Sequence, residues 1–89
     1  MKQIDNLLEC TRAMHIALES HDMALLDASC QSTMAAIGEV EAIGFANLPV
    51  EDHDKLREVM VLNEENHEMA KQGATEMAAL LDAVRLNHR

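Results

Sequence analysis

The chain has no tryptophan, no tyrosine and a single phenylalanine, Phe45. With so few aromatic platforms on which unpaired bases could stack, the composition argues against single-stranded nucleic acid as a partner. Positive charge is scarce too: 7 Lys and Arg stand against 16 Asp and Glu, for a formal charge of −9. Such a surface repels phosphate backbones and anionic membranes, and suits basic protein partners. Glycine occurs three times and proline once, so there is no glycine-rich phosphate loop. There is also no long hydrophobic run. The opening MKQIDNLLEC carries Asp5 and Glu9 inside its apolar pattern, which reads as neither a signal peptide nor a membrane span. The expected address is the cytoplasm. The two cysteines, Cys10 and Cys30, match no metal spacing and no CxxC motif. They are read as reduced thiols serving as small apolar side chains. No serine or cysteine nucleophile has a base at recognisable spacing, so the expectation is a protein without catalytic residues or cofactor, and not an enzyme.

What is present is helix. From Asp52 to His88 there is no proline and one glycine. Leu56, Asn63, Ala70, Met77 and Val84 recur every seven residues, and Met60, His67, Ala74 and Leu81 fill the alternate positions. That three-four alternation predicts a rod lying along another helix in a narrow seam. A rod so long, roughly 50 Å at about 1.5 Å per residue, takes most of its stability from partner helices.

The remaining chain supplies candidates. Ile4, Leu7, Leu8, Thr11, Met14, His15 and Leu18 share one face of a first helix, about residues 2–19. Glu19-Ser20-His21-Asp22 interrupts it, with Ser20 and Asp22 both suited to N-capping. A second stripe, Leu26, Cys30, Thr33, Ile37 and Val40, is out of phase with the first by one residue, which predicts a break or kink at 19–22. The second helix runs from about 22 to 43, and Gly44 stands where a left-handed cap belongs. Phe45, Leu48 and Val50 are expected to fold over the bundle end, with Pro49 in the first turn of a third helix, about 50–87. Glu51, Asp52 and Asp54 suit its positive end, and Arg85, His88 and Arg89 its negative end. One all-α domain follows, spanning residues 1–89. Its simplest architecture is an antiparallel hairpin of a broken arm and a long C-terminal helix. A three-helix bundle, with the first helix folded back on the second, is the near alternative.

The long helix carries a second apolar row, Val59, Leu62, Met69 and Leu80, with Gly73 on the same side. One hairpin partner does not cover both rows. The surplus is either packing for the first helix, or an intermolecular face: a homo-oligomer contact or a groove for another protein's amphipathic helix. Val59, Leu62, Met69, Gly73 and Leu80 are the candidate partner-binding residues. Methionines at 60, 69 and 77 would tolerate varied partners.

Asn63, Asn66 and His67 fall at or beside the seam, where buried polar groups fix register. Glu64 and His67 also form Glu-x-x-His, the spacing of di-iron bundle ligands, but a site would need a second such motif from another copy. His67, Lys71 and Gly73 have the residue types of a phosphotransfer domain, with lysine and glycine later than that family's His-x-x-Lys-Gly spacing.

LLECTRAMHIALES-HDMALLDASCQSTMAAIGEVEA, followed by a long helix with Leu62-Asn63-Glu64-Glu65-Asn66 and then Leu80-Leu81, resembles the small flagellar type III export chaperones of the FliT and FlgN type. The likeness departs at His21, where an aromatic is usual, and at Arg89, after which FliT-type chains continue into a further helix. The resemblance implies a non-enzymatic cytoplasmic chaperone holding an amphipathic helix of a flagellar cap or hook-junction protein. A dimeric helical adaptor without a flagellar link is the alternative that the residues leave open.

Overall fold

The computed structural model describes residues 1–87, and the side chains of all these except Phe45, Leu86 and Asn87. Three helices account for nearly all of it: α1 (Lys2–Ser20), α2 (Met23–Ile43) and α3 (His53–Asn87). No strand occurs among the described residues.

The break at 19–22 is a full reversal. His21 adopts a left-handed conformation, φ 55° and ψ 33°. Its N–H bonds to the Leu18 carbonyl at 3.4 Å and that of Asp22 to the Ala17 carbonyl at 3.0 Å, the paired closure that ends a helix and turns the chain. Asp22 then caps α2, its carboxylate accepting from the Leu25 N–H at 3.0 Å. Ser20 does not cap; its hydroxyl bonds back to the Ile16 carbonyl at 2.7 Å. The two-residue turn lays α2 antiparallel along α1. The hairpin with α1 and α2 as one broken arm is therefore corrected to the three-helix bundle: a one-residue phase slip turns the apolar stripes of α1 and α2 towards each other rather than along one rod.

At the other end, Gly44 has φ 85° and ψ 134°, a positive φ that is not a left-handed helical cap and leads straight into a 3₁₀ turn, Phe45–Asn47. Asn47 Nδ2 closes the end by donating to the Ile43 carbonyl at 2.8 Å. Leu48 folds into the core as expected, whereas Val50 is exposed; the Phe45 side chain lies outside the described residues. Pro49 precedes a 3₁₀ turn, Val50–Asp52, which feeds α3. Arg85 stands in the last turn of α3, and His88 and Arg89 lie outside the described residues.

α1 is the central helix. It packs against both others, while α2 and α3 barely meet. α1 and α3 run parallel: Asp5 bonds Lys55 at 2.6 Å, Arg12 pairs with Glu58, and the Asn66 amide reaches the Thr11 carbonyl at 3.4 Å. The core gathers where α1 and α3 begin and α2 ends, from Ile4, Leu7, Leu8, Ala36, Val40, Leu48 and Val59. Beneath it sits a buried carboxylate, Asp52, whose oxygens accept from the Met1 ammonium at 3.0 and 3.1 Å, with Lys55 at 3.8 Å. Higher up, the α1–α2 contact is made by small groups, Thr11, Ala17, Ser29 and Thr33. The hydroxyls of Thr11 and Thr33 are satisfied by carbonyls one turn back, at 2.8 and 2.7 Å.

The lengths do not match. α1 has 19 residues and α3 has 35, roughly 28 and 52 Å of helix. The molecule is 60 Å long and about a third as wide. Every residue from Ala70 to Arg85 is exposed. The far part of α3 stands clear of the bundle as a bare rod.

Candidate functional site

The structure divides the candidate row on α3. Val59 is 4% exposed and belongs to the core. Leu62 packs against that core, and Met69 is half-buried beside His15. Gly73 and Leu80 are exposed. Val59 and Leu62 are thus corrected from a docking surface to the internal seam with α1. The polar groups show why. Asn66, 2% exposed, sits in the same row between Leu62 and Met69. Its amide donates to the Thr11 carbonyl, which leaves its oxygen to accept from His15 Nδ1 at 2.8 Å. Asn66 thus sets α1 over this row, as a seam asparagine fixes register. His67, one residue on, is exposed, and Asn63 is half-buried.

In the row expected to be the internal seam, Leu56 packs half-buried against the core and Asn63 is half-buried, but the rest is open. Met60 is 68% exposed, and Ala70, Ala74, Met77, Leu81 and Val84 are all exposed with it. Met60 and Leu56 face α2 across a gap, since α2 leans on α1 and not on α3. The gap is an apolar groove of about 340 Å³, lined by Leu7, Ile37, Val40, Leu56, Val59, Met60 and Asn63. Its floor is α1 and its walls are α2 and α3. Ile37 and Val40 on α2 were placed in the second helix's own stripe by the sequence. Nothing in the periodicity showed that this stripe would border an opening.

A second apolar dent, about 450 Å³, lies beside the α1–α2 turn. Its walls include Leu18, Met23 and Leu26 on one side and Ala70, Gly73, Ala74, Met77 and Leu80 on the other. Gly73 and Leu80 meet here, so this part of the candidate row does border open space. A Cβ added at Gly73 would touch nothing within 4 Å.

Titratable groups offer little chemistry. Burial, with help from Glu9 and Glu39, pushes the Cys10 thiol up, away from the reactive thiolate. The hydrogen bond from Lys55 holds Asp5 below the usual carboxylate range and, in return, holds Lys55 above its own. Among the described residues, no three His, Cys, Asp or Glu side chains gather closely enough for a metal ion, and no helix is long and apolar enough to cross a membrane. His15 Nε2 faces the Glu19 carboxylate, while Glu65 stands 4.0 Å from Nδ1. This cluster borders a shallow acidic hollow with Glu64, Glu68 and Met69. Comparison with protein-family models, curated proteins and solved structures finds no match to this chain.

Proposed function

We propose that this protein is a non-enzymatic helix-capture module, holding an amphipathic helix of a client protein in the groove between α2 and α3. The observation that supports it is the groove itself: above the buried Val40, α2 and α3 leave an apolar strip open along half-buried Ile37 and Leu56 and exposed Met60. An amphipathic helix presents side chains three and four residues apart to such a strip. Met60, exposed and unbranched, adapts to different side chains. Burying a few apolar side chains would supply several kcal/mol, at about 25 cal/mol per Å². The charge of −9, with Glu39 and Glu41 exposed on α2, selects clients whose polar face is basic.

The likeness to flagellar export chaperones names the first clients to try: the C-terminal helices of flagellar cap and hook-junction proteins, held in the cytoplasm before export. Titration calorimetry with such peptides, and with a scrambled control, tests the reading. Binding that is lost in Met60→Asp supports it. No binding by any of these helices, or binding indifferent to Met60→Asp, overturns it.

A further inference from the structure

Beyond Met69 both rows of α3 are exposed, and this open face changes size along its length. Around its middle it is small: Ala70, Gly73 and Ala74. Beyond, it is large: Met77, Leu80, Leu81 and Val84, each between 45 and 60% exposed. The end of α1 lies level with the small part, as the dent shared by Ala17, Leu18, Ala70 and Gly73 shows. Leu81 and Val84 stand roughly 10–15 Å farther along the rod. So the chain carries exposed bulky apolar side chains, two of which, Met77 and Leu80, wall one end of a hollow that runs over small residues at its other end.

We infer that a second copy supplies both, by antiparallel pairing of the two α3 rods about a two-fold axis level with Thr75 and Glu76. In this register the large side chains at 77, 80 and 81 meet the small residues at 74, 73 and 70. The partner's Leu81 packs on Ala70, the partner's Met77 on Ala74, and the partner's Leu80 fills the hollow over Gly73. The partner's Val84 lies against His67. By symmetry each contact occurs twice, as a closed two-fold interface requires. Charge agrees. Beside the seam, Glu64 faces the partner's Arg85, again twice, and flanking pairs of this kind set orientation in helical seams. A shift by one heptad, with the axis at Gln72, would place Arg57 opposite Arg85 and Lys71 opposite itself. Parallel pairing would stack Ala70 on Ala70 and set the two bundles side by side. The antiparallel register holds the bundles at opposite ends of a shared rod.

The overlap ends near Glu64, short of the lower part of the α2–α3 groove, so this pairing does not rest on client capture and its failure would leave that reading standing. Sedimentation equilibrium of the full chain, up to millimolar concentration, tests it. The wild type is expected to be a dimer. Gly73→Leu fills the hollow with the chain's own side chain and is expected to be monomeric, with helicity unchanged by circular dichroism. Glu64→Arg and Arg85→Glu each raise the dimer Kd by roughly tenfold, and the double variant restores it. A wild type that stays monomeric overturns the inference. So does a Gly73→Leu dimer of wild-type affinity, or a double variant no tighter than either single one.

Discussion

Asn66 and His15 meet at 2.8 Å across the α1–α3 seam, side-chain oxygen to ring Nδ1. The contact decides which face of α3 is inside. With the amide committed to the Thr11 carbonyl, Asn66 has no freedom to turn towards solvent. Asn66→Ala removes a buried amide together with its bonds to the Thr11 carbonyl and the half-buried His15 ring. The expected loss is about 2 kcal/mol in urea unfolding. Asn63→Ala, at a half-buried position on the open side, is expected to cost less than about half as much. Equal losses would mean that the two asparagines are equivalent, and the assignment of the inner face would fail.

The same division is tested with apolar truncations. Val59→Ala removes core volume and is expected to cost about 2 kcal/mol. Met60→Ala, adjacent but exposed, is expected to stay within about 0.5 kcal/mol of wild type. The measurement is the denaturation midpoint at constant slope. A Met60 variant as unstable as the Val59 variant would show that the heptad row is covered after all.

Two backbone positions make opposite demands. His21 holds a positive φ that L-residues adopt at a cost. His21→Gly is expected to raise stability by about 1 kcal/mol, provided the turn is retained. Gly44 also has positive φ, and a Cβ there would stand 3.4 Å from Asn47 Nδ2. Gly44→Ala should therefore lower stability by about 1 kcal/mol or more. Thermal unfolding of the pair reads both signs in one experiment.

The Asp5–Lys55 bond ties the start of α1 to the start of α3. Asp5 titrates below the usual carboxylate range because Lys55 donates to it. A carboxylate lowered by folding adds stability above its unfolded pKa, about 4, and that stability is lost as pH falls through the lowered folded value. Lys55 is raised by the same bond, so its share is present below the ordinary lysine value, about 10.4, and lost as pH rises through the raised one. Asp5→Asn should flatten the urea midpoint against pH at both ends and leave other slopes alone. Unchanged slopes would show that the pair contributes nothing to folding. The Lys55 and Asp5 side chains are 43% and 56% exposed, so the effect is small and falls with added salt.

Much of this protein was written locally. The spacing of apolar residues against the absence of proline and glycine determines three helices, because an amphipathic stripe and an unbroken backbone are short-range properties. Asp22 as a cap and Gly44 as an end follow from side-chain chemistry within a turn or two. The one-residue phase slip at 19–22 also showed that the chain does not run straight there.

Only the tertiary structure decided which of two adjacent rows on α3 lies inside. Val59 and Met60 are neighbours in sequence and both apolar, and rotating α3 by about 100° exchanges their roles. No periodicity distinguishes these two packings. The choice rests on contacts between residues some fifty apart, Asn66 with Thr11 and His15, and Lys55 with Asp5. The same long-range packing placed α1 between its neighbours, which opened the groove along Ile37 and Met60 and left the far rod of α3 bare.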